Sequence, residues 1–134
     1  MNEEVVTKII IKNLKDKGVI ILAFDYPQSG MGVSLNPDIK HLPSVTLDII
    51  AMSNGEILFF ENKDRYYPKD FEKLYKFKNN LLHYNESFKA KFGLDLKDYS
   101  ILTCIGIPES AINKVKPDKR RLVDRIWRVK NVNG

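Results

Sequence analysis

Asn54-Gly55 is the tightest constraint on what this chain can fold into. Both central positions of a type I′ turn require positive φ, and Asn-Gly accepts that more readily than other pairs. Apolar residues flank it, Ile49 to Met52 on one side and Ile57 to Phe60 on the other. A two-residue turn therefore predicts a β-hairpin over residues 45–63 in which Ser53 faces Glu56. Counting outward sets Asp48 opposite Glu61 and Thr46 opposite Lys63. Side chains alternate faces along a strand, so Asp48, Glu61 and Lys63 share one face. On the other, Val45, Leu47, Ile49 and Ala51 join Leu58 and Phe60 against a helix.

The same count makes 48/61 a non-hydrogen-bonded pair, with Cα atoms about 4.5 Å apart. Two carboxylates so placed destabilise a hairpin by up to about 1 kcal/mol. A divalent cation between them reverses the sign, because hard oxygen donors suit Mg2+ or Mn2+. Lys63 stands beside a position for a phosphate oxygen or an attacking water. In outline this is a phosphodiester-cleavage site.

Asp48, twelve intervening residues and then Glu61-Asn62-Lys63 resemble the signature of the PD-(D/E)xK nuclease superfamily, which includes restriction endonucleases and archaeal Holliday-junction resolvases. The match is residue by residue at Asp48, Glu61 and Lys63. Leu47 stands where the family name has proline, and Asn62 takes a central position that is often apolar. The resemblance implies Mg2+-dependent hydrolysis of DNA, with Mn2+ able to substitute. Asp48 and Glu61 would hold the metal, joined by the backbone carbonyl of Asn62, and Lys63 would orient the water or offset charge on the phosphate. Some enzymes of this kind carry a glutamate on their first helix, which makes Glu3 or Glu4 a possible auxiliary acid. Their plainer role is to complement the helix dipole. Pro37-Asp38 matches the family name literally but ranks second, because the turn register brings Asp48 to Glu61.

The rest of the chain fits an α/β fold with the order α–β–β–β–α–β, a restriction endonuclease-like core with a mixed sheet flanked by helices. Residues 2–17 have a helical apolar face, Asn2 as cap and Gly18 as stop. Residues 19–24 read as a buried strand. Residues 28–44 are irregular, and the amides around Ser29-Gly30 offer a path for a DNA backbone. Pro68 opens a helix expected to run to Phe92. Lys69, Lys73 and Lys76 rise along one side of it, Lys69 and Lys73 being candidates for phosphate contact, with a solvated face as the other reading. Residues 99–107 form a further buried strand around Cys104, read as an inert core thiol. Beyond it, residues 110–115 and 118–129 are expected as a helical C-terminal addition, with Leu122, Val123, Ile126 and Trp127 as the apolar face of the second helix.

Composition narrows the partners. Twenty-two Lys and Arg against 17 Asp and Glu give a net charge of +5, which favours a polyanion. One cysteine excludes an intrachain disulfide and a cysteine zinc cluster. His41 and His83 lack the company a zinc site requires. No apolar run approaches the roughly 18 residues of a membrane span. The expectation is one cytoplasmic nuclease-like domain of 134 residues that acts on DNA as a homodimer, away from membranes. A DNA-binding module that does not cut is the alternative of another class.

Overall fold

A computed structural model describes residues 1–25 and 33–130. Ser29 and Gly30, expected to contact DNA, lie outside the described residues. The protein is α/β, with a mixed five-stranded sheet flanked by helices. Helix α1 (Glu3–Asp16) leads into β1 (Ile20–Phe24), and the short strands β2 (Val33–Leu35) and β3 (Val45–Leu47) follow. The hairpin is β4 (Ile49–Ser53) and β5 (Glu56–Asn62). After it come α2 (Pro68–Asn79), α3 (Asn85–Phe92), β6 (Ser100–Pro108), α4 (Pro117–Arg120) and β7 (Arg125–Val129). The sheet runs β1-β4-β5-β6-β7, antiparallel at its first two pairings and parallel at the last two. The first strand lies beside the hairpin, and the chain returns through the α2–α3 crossover to pair β6 with β5.

The turn forms as the dipeptide requires: Asn54 has φ 41° and Gly55 φ 79°, and Ser53 pairs with Glu56. Alternation then divides the core. Ile49, Ala51, Leu58 and Phe60 face Val6, Ile10 and Leu14 of α1, while Ile50, Ile57 and Phe59 face Phe71, Leu74 and Phe77 of α2. The Phe59 ring meets Phe77 edge-on at 4.9 Å. Each such side chain contributes about 1.5–3 kcal/mol by leaving water. Cys104 is buried in the α1 layer, and burial pushes its thiol up to about 12, in keeping with an inert role.

The expected continuous strand over 45–53 is interrupted at Asp48. Its N–H donates to the Phe60 carbonyl at 2.9 Å, although Ile49 is the residue paired with Phe60. Two consecutive residues thus address one partner, which is a β-bulge. The slip of one position turns Val45 and Leu47 into the α2-side core, away from the face of Ile49 and Ala51 expected of them. It also frees β3 to pair with β2 in a separate two-stranded sheet, where Ser34 and Thr46 hydroxyls meet at 2.7 Å. The expected irregular segment therefore contains β2.

Two helix expectations also need correction. The helix from Pro68 stops at Asn79, and a 3-10 turn at Leu81–Tyr84 intervenes before α3. Asn80 takes φ −118° and its amide donates back to the Lys76 carbonyl, so the side chain ends the helix. The expected C-terminal helix over 118–129 is one turn, α4, followed by strand β7. Asp124 anchors the start of that strand on β6. Its carboxylate accepts from the Thr103 N–H at 2.8 Å, and its own N–H donates to the Thr103 carbonyl at 3.0 Å. Ile126 and Trp127 then point to opposite layers, Trp127 packing on Phe60 at 5.7 Å under Lys17. Residues 110–115 do form a helical turn, a 3-10 one at Glu109–Lys114. No helix among the described residues is long and apolar enough to cross a membrane.

Candidate active site

The last residues of β5 end between the first turns of α1 and α2, and the charged side chains of all three elements meet there. Asp48 enters from the bulge. Its backbone is held on both sides, by its own bond to Phe60 and by the Asp25 N–H, which donates to the Asp48 carbonyl at 2.8 Å. Its carboxylate accepts from the Asn62 N–H at 2.7 Å. The contact between Asp48 and the end of β5 is therefore carboxylate to backbone, not the side-by-side pairing a continuous hairpin gives. Glu61 points into the α2 layer and is only 4% exposed. The Lys73 ammonium donates to Glu61 Oε1 at 2.6 Å and to the Thr46 carbonyl at 2.8 Å. Lys63 lies 3.4 Å from Glu3 Oε1 and 3.7 Å from Asp70 Oδ2, with the Tyr67 ring centroid at 5.5 Å.

Four carboxylates thus surround two ammoniums, and burial makes the imbalance matter. Desolvation raises Asp48 to about 6, although the Asn62 N–H works the other way. Desolvation and then the Asp48 charge raise Glu61 to about 8, against the opposing pull of Lys73. Burial also raises Asp70, whose Oδ2 has no hydrogen-bond partner. Around Lys63 burial opposes the charged form, but Asp70, Glu3, Glu61 and Asp48 together outweigh it and raise the amine. Fully ionised, the cluster is short of positive charge.

Of the residues singled out in the sequence, Asp48, Glu61, Lys63 and Glu3 converge. Glu4 does not; it pairs with Lys8 at 3.1 Å along α1. Asp38 sits elsewhere, with its carboxylate 2.8 Å from His83 Nδ1. Lys69 is exposed on the first turn of α2, whereas Lys73, one turn on, is turned inward to Glu61. The Asn62 side chain is turned away from the acids and completely buried, its amide donating to Thr7 Oγ1 of α1 at 3.0 Å. Sequence reasoning missed Asp70 and the inward role of Lys73. Their signal was the i,i+3 spacing just after Pro68, beside the apolar stripe of Phe71 and Leu74.

Among the described residues no group of three or more His, Cys, Asp or Glu side chains is arranged to hold a metal ion. The two-carboxylate set nonetheless fits a hard cation in its chemistry. Both groups are desolvated oxygen donors, and the charge of Asp48 hinders the ionisation of Glu61. The Asn62 N–H meets Asp48, and in an extended strand a residue's C=O leaves the same edge as its N–H. Comparison of the chain with protein-family models, curated proteins and solved structures gives no match.

Proposed function

We propose that this chain is a Mg2+-dependent DNA endonuclease with a restriction endonuclease-like core, cutting phosphodiester bonds at Asp48, Glu61 and Lys63. One observation carries the reading: the buried Glu61 and the half-buried Asp48 meet at the end of β5, both raised in pKa, beside a lysine held in its charged form. Desolvating two acids, one of which hinders the other's ionisation, costs stability unless a cation joins them. Asp48 and Glu61, with the Asn62 carbonyl, would hold it. When bound, a divalent cation polarises a phosphoryl oxygen and lowers the pKa of a water. Lys63 offers its ammonium to the pentavalent phosphate. Four acids raise its pKa, so it stabilises charge and does not act as the base. Glu3 and Asp70 hold that ammonium in position.

The net charge of +5 favours DNA as the polyanion. Restriction-type cleavage is preferred to junction resolution, because the segment carrying β2 and β3 and the chain after β6 both add to the compact core order. A symmetric dimer would supply one site per strand. Incubation with supercoiled plasmid, linear duplex and a four-way junction, in Mg2+ or Mn2+ against EDTA, tests the reading. Metal-dependent cutting of plasmid and duplex supports it, and cutting confined to the junction moves it to a resolvase.

The Lys73–Glu61 contact favours a second reading, a DNA-binding module that keeps the nuclease fold and no longer cuts. There the lysine permanently supplies the charge a metal would bring. Such a protein would keep full DNA affinity in EDTA and leave every substrate intact.

A further inference from the structure

Lys73 reaches across from α2 to two oxygens that come from different strands, Glu61 Oε1 and the Thr46 carbonyl. The Thr46 carbonyl is within reach because the bulge at Asp48 bends β3 away from the hairpin. Its ammonium is therefore ligated much as a small cation would be, by one carboxylate and one backbone oxygen. Glu61 is nearly sealed from solvent, whereas the Lys73 side chain is 36% exposed. Lys69 stands one turn before it on α2, exposed to solvent.

We propose that Lys73 is the resident counter-ion of this site, displaced from Glu61 when a divalent cation binds, and then available with Lys69 to a phosphate. The inference rests on the metal site of the preceding reading and assigns Lys73 a regulatory part in it. Metal-free protein keeps the Lys73 ammonium on Glu61 Oε1, and metal binding exchanges one cation for another. The exchange ties exposure of a phosphate-binding pair to occupancy of the site.

The test is Mn2+ binding alone, by calorimetry and by thermal shift, to the wild type, Lys73→Met and Glu61→Gln, with Lys73→Gln replacing the methionine variant should that fail to fold. Removing the competing ammonium should tighten Mn2+ binding about tenfold or more, equivalent to about 1.4 kcal/mol. It should also lower the melting temperature of the metal-free protein, while Glu61→Gln loses binding. Binding by Lys73→Met with none by the wild type also supports the exchange. Equal or weaker Mn2+ affinity in the lysine variants overturns it, as does absence of binding in every protein. Plasmid nicking measured beside the titrations separates the two claims. Tighter binding with no nicking by any protein defeats the nuclease reading alone, and nicking with unchanged Mn2+ affinity defeats the counter-ion role alone.

Discussion

Asp48 and Glu61 would ionise near pH 4 in the unfolded chain, yet the folded protein holds them to about 6 and about 8. Between those limits the folded state binds more protons than the unfolded one, so these groups make stability fall as pH rises from about 4 to about 8. Thermal melts of metal-free protein across that range should show Glu61→Gln losing less stability with rising pH than the wild type. Parallel curves would mean that Glu61 ionises normally. Asp48→Asn removes one of the opposed charges and keeps an oxygen for the Asn62 N–H. Because desolvation opposes the Asp48 charge, the substitution should leave metal-free stability at pH 7 unchanged or raise it. Mn2+ at a hundredfold excess over its dissociation constant should stabilise the wild type by about 2.7 kcal/mol. Most of that gain should be lost in Asp48→Asn, and equal gains would place the cation elsewhere. Gly106 is a different kind of constraint. A Cβ there would collide with Ile10 Cδ1 and Asn62 Oδ1, so Gly106→Ala should cost about 1–3 kcal/mol in denaturant melts.

At the level of elements, α1 packs on the sheet through Val6, Ile10 and Leu14, and one buried hydrogen bond adds to that packing. Asn62 donates to Thr7, and Glu3 is one helical turn before Thr7 on the same side of the helix. Thr7→Val should cost about 1–3 kcal/mol by leaving the Asn62 amide unsatisfied, and it should loosen the hold of Glu3 on Lys63. Chemical denaturation measures the first effect. The β4–β5 hairpin was legible because Asn-Gly sets both turn type and register locally. The bulge was not, because it depends on Asp48 meeting the Asn62 N–H, a contact that exists only once β5 is in place. The C-terminal strand was hidden for another reason. Leu122, Val123, Ile126 and Trp127 satisfy a helical period, and the strand is chosen by pairing with β6, which begins beside the bonds of Asp124 to Thr103. Removal of that carboxylate in Asp124→Ala should detach β7 from β6, seen as faster amide exchange in residues 125–129.

Across the whole molecule, the core order of α1, β1, the β4–β5 hairpin, α2 and β6 could be read in advance from apolar periods. The Asn-Gly turn brought Asp48 near the end of β5, whereas Glu3 was expected only through the family resemblance. Asp70 and the inward-turned Lys73 could not be read, because they depend on how α2 docks against the end of β5. The resulting cluster sits where one strand and two helix N-termini meet, so its charge is held by the fold as a whole and not by the hairpin alone. The most direct test is nicking of supercoiled plasmid by the wild type, Asp48→Ala, Glu61→Ala, Lys63→Ala and Asp38→Ala, each first shown to be folded. The account predicts open-circular product from the wild type and Asp38→Ala in Mg2+, none in EDTA, and rates at least about 100-fold lower in the other three. Cleavage by Glu61→Ala at the wild-type rate, or by the wild type in EDTA, would contradict it.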